Sequence, residues 1–264
     1  MPPLGRSVTR GLGVAISMLA FTAEIPNADA QSTAPDVVIL CDPAVFRAIS
    51  DVGALWRQRS GVPVHVISSP TSLLIQQISH HIRSDFIIAE GDNSEAAATR
   101  QQLIKPGTQF GGWRNRLVVA ERAPPSRADS PAPSSLAVLL QANSVAIVDA
   151  PVASAGAETR TALEALGLWD ELQKQSIGVA STADAIFLLA QGTVKVAVVY
   201  ATDVAANPSL AIAGTLADDS YAPITYWIAQ TNAAVSPKAD EFGLFLRQPE
   251  ALRLLEADGL EVTP

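Results

Sequence analysis

Apolar residues along this chain fall into short uninterrupted runs separated by stripes of helical spacing. Val37 to Leu40 is one such run, and after it Val45, Ile49, Val52 and Trp56 recur at steps of four, three and four, the face of a helix. Val62 to Ile67 predicts a second strand, and Leu74 and Ile78 begin another helical stripe. Phe86 to Ala89 predicts a third strand, leading to a helix near Glu95 to Ile104. Strands that are apolar throughout and alternate with helices belong to mostly parallel sheets covered on both faces.

The pattern restarts after Gly111-Gly112. Strands are expected at Leu117 to Ala120, Val145 to Val148 and Val196 to Tyr200, with helices from Ala155 to Leu166 and Ala183 to Leu189. Between the first two strands, Glu121 to Ser135 carries Pro124, Pro125, Pro131 and Pro133, a surface excursion that continues neither a ladder nor a helix. Ile224 to Ala229 is a late strand. Two short helices follow, striped by Phe242, Phe245 and Leu246 and then by Leu252 and Leu255, with Gly259 placed as the final cap. The expected organisation is an α/β chain with a first lobe over 31–112, a second over 113–218, and a return to the first over 219–264.

Residues 1–30 read as an export signal. Arg6 and Arg10 precede the short uncharged stretch Gly11 to Phe21, and Ala28-Asp29-Ala30 offers the small residues a signal peptidase reads. No later run reaches the length needed to span a bilayer, so the expectation is a soluble protein delivered to the periplasm.

Composition narrows the function classes. Of 264 residues, 48% are hydrophobic and 17% charged, enough for two cores and too apolar for a disordered chain. The formal charge is -8, and 18 basic residues spread along the chain make no stripe that tracks a phosphate backbone, which excludes nucleic acid as a partner. One cysteine, Cys41, excludes a disulfide framework and reads as a buried structural thiol at a strand end. His65, His80 and His81 lack the i, i+4 pairing of a helical zinc site. No nucleophile elbow, phosphate loop or dinucleotide fingerprint is present, so neither an enzyme nor a metal or cofactor site is expected.

Pro follows a strand end or loop at Asp42-Pro43, Ser69-Pro70, Ser236-Pro237 and Gln248-Pro249, and in the first three a capping residue precedes it. Ser181-x-x-Asp184 has the spacing of a capping box. Several of these helices start at the carboxyl edge of a sheet, where open α/β folds bind ligands and where helix N–H groups face an anion.

Longer stretches carry a resemblance. Ala155-Gly156 followed by Ala162 to Leu172 (ALEALGLWDEL), then Val198 to Asp203 (VVYATD), resembles the periplasmic molybdate-binding proteins of ABC importers. Ser69 to Ile78 (SPTSLLIQQI) is similar to that family's ligand loop, Ser84 to Ile87 to the strand start after it, and Tyr226 to Gly259 to its closing layout. The resemblance implies a two-lobed Venus-flytrap fold that binds a small oxyanion or related solute between the lobes. It also implies a monomer that presents its closed form to an importer permease. Carried over residue by residue, it implies hydroxyl donation from Thr71 and Ser72, backbone N–H donation from Ala155 and Ala183, and phenol donation from Tyr200. The serine of the family's first loop falls at Ala44, beside Asp42. A lost hydrogen bond to a desolvated anion costs about 1.5 to 3 kcal/mol, so these two departures imply altered oxyanion binding or a different small ligand. The other reading is an exported interaction protein that kept the fold and lost the solute.

Overall fold

The computed structural model describes residues 36–124, 136–141, 144–149 and 154–262. The leader expected over residues 1–30 and residues 125–135 of the Pro-rich excursion lie outside them, while Glu121 and Arg122, expected to begin that excursion, instead pair in a strand ladder. Among the described residues no helix is long and apolar enough to cross a membrane.

The first lobe is built in chain order from β1 (Val37–Cys41), a 3-10 turn at Pro43–Val45, α1 (Phe46–Ser60), β2 (Val64–Ser68), α2 (Thr71–Ser79), β3 (Phe86–Glu90), α3 (Asp92–Arg100) and β4 (Phe110–Asn115). β1 and β3 are buried along nearly their whole length, which is why both read as continuous apolar runs. α1 buries Ile49, Val52 and Trp56 against the sheet and stops at Gly61, whose φ of 73° only a residue without Cβ adopts freely.

The second lobe follows with β5 (Leu117–Arg122), α4 (Leu136–Gln141), β6 (Val145–Val148), α5 (Ser154–Ala165), α6 (Trp169–Gln175), β7 (Ile177–Val179), α7 (Thr182–Ala190), β8 (Val196–Tyr200), α8 (Ala201–Ala205) and β9 (Leu210–Thr215). The chain then returns with β10 (Ile224–Gln230), α9 (Ala239–Phe245) and α10 (Pro249–Ala257). The two sheets have the orders β2-β1-β3-β10-β4 and β7-β6-β8-β5-β9. Each has parallel strands on one side and an antiparallel pair on the other. The fold is therefore α/β with two lobes, each a mixed sheet flanked by helices.

β4, β7 and β9 carry no clear apolar run. Gly111 and Gly112 lie inside β4, where the ladder to β10 is irregular between Tyr226 and Trp227. A Cβ at Gly111 would sit 2.6 Å from the Tyr226 carbonyl oxygen, so glycine there is a packing requirement of the strand. The passage between sheets falls at Arg116, between β4 and β5. There Asn115 Nδ2 donates to Thr202 Oγ1 at 2.9 Å, and the Leu117 N–H donates to the Tyr221 hydroxyl at 3.1 Å. The second bond ties the outgoing connection to the returning one.

The returning helices close the first core. Phe242 packs edge-on against Trp56 and Phe86, with ring centroids 5.6 and 5.7 Å apart. Two capping expectations are corrected. α2 starts at Thr71 with Pro70 as its cap residue, so Ser69 does not cap it. α9 starts at Ala239 with Lys238 as its cap residue, and the Ser236 hydroxyl instead accepts the Lys238 N–H in the preceding turn. Asp85, fully buried, accepts backbone N–H bonds from Val38, Val235 and Ser236. It braces the start of β3, which accounts for an acid at an apolar strand's threshold. Burial pushes the Cys41 thiol up to about 12, leaving it protonated and inert.

Candidate functional site

Strand ends and helix starts of both sheets enclose a cavity of about 820 Å³. From the first lobe come the turn after β1, the start of α2 and the end of β3. From the second come the starts of α5 and α7 and the end of β8. Asp42, Ala44, Thr71, Ser72, Ala155, Ala183 and Tyr200, the residues singled out from the sequence, all line it. Parallel strands point their carboxyl ends the same way, and helices that follow them begin at that edge, so the topology gathers these positions.

What each residue does there differs from a cage of donors aimed at a ligand. Asp42 caps the first turn: Oδ1 accepts the Ala44 N–H at 3.1 Å, and Oδ2 accepts the Thr71 hydroxyl at 2.9 Å. Thr71 Oγ1 in turn accepts the Glu90 N–H at 3.0 Å. Thr71 thus keeps its hydroxyl but gives it to Asp42, and the first loop's N–H is spent on the same carboxylate. Across the cavity the Tyr200 hydroxyl donates to Glu158 Oε2 at 2.9 Å. Ala155 and Ala183 are the second residues of α5 and α7, where a helix N–H has no partner within the helix. The Ser72 hydroxyl is exposed at the mouth.

Three acids not singled out as site residues stand at the cavity, Glu90 and Asp203 lining it and Glu158 held against the Tyr200 hydroxyl. Glu90 ends β3, Glu158 lies on α5 one turn beyond Ala155, and Asp203 lies on α8 one turn beyond Tyr200. Glu90 and Glu158 belong to opposite lobes, and the charge of Glu158 acts on Glu90. Asp203 accepts the Tyr200 N–H at 3.0 Å. Glu90 carried a legible signal, because an acid at the carboxyl end of a buried parallel strand stands where such sheets place ligand groups. Glu158 shares the helix face of Ala155 at i, i+3.

Electrostatics follow from burial without counter-charge. Loss of water, then the neighbouring Glu158 and Asp42 carboxylates, push Glu90 up to about 9. Burial likewise raises Glu158, against a lowering bond from Tyr200. Asp42 is raised by burial despite its two donors, and burial takes Asp203 up to about 6. Tyr200 is raised by burial and by the Glu158 charge. Among the described residues no Lys, Arg or His lines the cavity. Among the described residues no group of three or more His, Cys, Asp or Glu is disposed to hold a metal ion.

A family model described as bacterial extracellular solute-binding protein matches residues 37–261. The chain belongs to that family. The molybdate-binding protein ModA of Escherichia coli (strain K12) is 22% identical over 228 residues, covering 86% of this chain and 89% of that one. Two solved structures share the fold. The substrate-binding domain of a putative molybdenum ABC transporter from Clostridium difficile superposes with a TM-score of 0.72 at 20% identity, over 87% of this chain and 99% of that one. The Azotobacter vinelandii periplasmic molybdate-binding protein gives 0.71 at 18%, over 87% and 100%. This member of the solute-binding family is thus a divergent relative of the molybdate binders, and its cavity lies between the two lobes.

Proposed function

We propose that this chain is the exported solute receptor of an ABC importer, and that its cleft takes a small organic solute carrying hydrogen-bond donors or positive charge. It acts as a monomer: solute binding shifts the population toward the closed lobes, and the importer permease reads that state. One observation carries the choice of solute. The hydroxyls of Thr71, Ser181 and Tyr200 already donate to carboxylates, and among the described residues no cationic side chain lines the cavity. A tetrahedral dianion needs fixed, unpaired donors, whereas the lone pairs of Asp42, Glu90 and Asp203 at the cavity wall suit a partner that donates. A cavity of about 820 Å³ also lies in the range that encloses an organic molecule.

A second reading, an oxyanion bound at the N-termini of α5 and α7, rests on Ala155, Ala183 and Ser72 at the cavity wall and on relatives named for molybdate. The scaffold reading has less support, since the cleft is open space lined by polar groups. Thermal-shift screening separates the three, because a ligand that binds only the folded state raises its stability. Alkylamines and amino acids are run against molybdate, tungstate and sulfate. Stabilisation by an amine-bearing compound, with none by the oxyanions, is the expected result. Sub-micromolar molybdate binding in a calorimetric titration would overturn it in favour of the second reading, and silence from every compound would favour the scaffold.

A further inference from the structure

Two polar side chains that line the cleft, the Ser72 hydroxyl and the Asn93 carboxamide, have no hydrogen-bond partner among the described residues. Both are exposed, and each is the second residue of its helix, Ser72 of α2 and Asn93 of α3. The turns that carry them are held firmly and tied together. Thr71, next to Ser72, gives its hydroxyl to Asp42 and accepts the Glu90 N–H at 3.0 Å, which joins the start of α2 to the end of β3. Beyond Glu90, the Gly91 N–H donates to the Thr225 carbonyl at 2.9 Å. Gly91 has a φ of 81°, which turns the strand into the helix. The Ser94 hydroxyl then donates to the Glu90 carbonyl at 2.6 Å and accepts the Trp227 indole N–H at 2.6 Å. Ser72 and Asn93 are thus free groups on a rigid mount, and a ligand that bonds them does not have to order the backbone beneath.

Their chemistry complements that of the acids beside them. A hydroxyl and a carboxamide offer O–H and N–H donors to a carbonyl or carboxylate oxygen. Asp42, Glu90 and Asp203 offer acceptors and negative charge. A bare anion would face those acids with no lining cation, among the described residues, to offset them. An acceptor oxygen fits this cleft when the same solute also brings a positive group.

We propose that Asn93 and Ser72 are specificity residues for a bifunctional solute. Its amine sits against the acids, and a carbonyl oxygen on the same molecule takes the Asn93 N–H and the Ser72 O–H. The solute class is an amino acid or its carboxamide. Ile75, one turn along α2 from Ser72 and also in the cavity wall, gives its side chain an apolar surface. This rests on the reading that the solute donates or is cationic, and adds the second group to it.

Calorimetric titration with three matched compounds tests the assignment. They are the amino acid that stabilises the protein most in thermal-shift screening, the amine left when its carboxylate is removed, and its carboxamide. Wild type is expected to bind the amino acid or the carboxamide about ten- to a hundredfold more tightly than the bare amine, and the tighter of the two identifies the oxygen. Asn93→Ala should cut that preference about tenfold and Ser72→Ala by less, with amine affinity within about twofold of wild type in both. Asn93→Asp, whose charge repels a carboxylate and accepts from an amide, should weaken the amino acid more than the carboxamide. Asn93 braces nothing, so ligand-free unfolding temperatures should match wild type and lost affinity reads as a lost contact. Bare amines that bind as tightly as the other two, or in place of them, overturn the proposal and leave the donor-bearing solute standing. So does an Asn93→Ala variant with the full wild-type preference. If every amine-bearing compound fails to bind, the solute reading falls and this proposal falls with it.

Discussion

The two walls of the cleft use the same residue types to different ends. On the first lobe, Asp42, Thr71 and the Glu90 N–H bond one another, so a carboxylate and a hydroxyl brace the ends of neighbouring strands of one sheet. On the second, Tyr200 and Glu158 also bond one another, but the charge of Glu158 acts on Glu90 of the opposite lobe. A polar side chain in a cleft therefore contributes to its own lobe or to a ligand according to where its hydrogen bond is already spent. Residue identity alone does not distinguish these outcomes.

The largest expected effect tests whether buried acids dominate both walls. Glu90, Glu158, Asp42 and Asp203 all bind protons more tightly in the folded than in the unfolded chain. The native state thus holds more protons, and stability falls as pH rises, by about 1.4 kcal/mol per pH unit for each extra proton. For Glu90 the window runs from 4.5 to about 9. Urea unfolding at pH 5, 7 and 9 should show a midpoint that moves steadily downward, and a midpoint that rises toward pH 9 would contradict the electrostatics described here.

Next in size is the bracing wall. Thr71→Val leaves an Asp42 oxygen and the Glu90 N–H without a partner and should cost about 1 to 3 kcal/mol in denaturant unfolding, with Thr71→Ser retaining most of it. Tyr200→Phe on the opposite wall should cost about 1 kcal/mol and should raise Glu158 further, a change that NMR titration of labelled glutamate would register. The smallest effect belongs to Ser72. Its exposed hydroxyl braces nothing, so Ser72→Ala should change stability by less than about 0.5 kcal/mol. An equal loss of stability from Ser72 and Thr71 would erase the distinction between brace and free donor.

Much of the architecture was legible because β1, β3, β6 and β8 are buried on both faces and so are written as unbroken apolar runs. β4 and β9 were not, since one is bent around Gly111 and the other is an edge strand of small and alternating residues. The positions of the site were legible for a topological reason: strand ends and helix starts converge wherever parallel strands do. Their chemistry was only partly so. Asp42 was marked as a cap, and it is one. Its second bond to Thr71, and the bond of Tyr200 to Glu158, depend on contacts between elements far apart in the chain, which no local pattern encodes.

β10 lies between β3 and β4 in the middle of the first sheet, although it is drawn from near the end of the sequence. A chain emerging from its N-terminus reaches the second lobe's last strand before it can close the first lobe's sheet. The second lobe is contiguous from β5 to β9 and is the part able to fold early, while the first waits, with β4 unpaired and one edge of β3 open, for nearly the whole polypeptide. Nascent chains released before residue 224 should therefore shield β5 to β9 from protease and leave β1 to β4 open to cleavage.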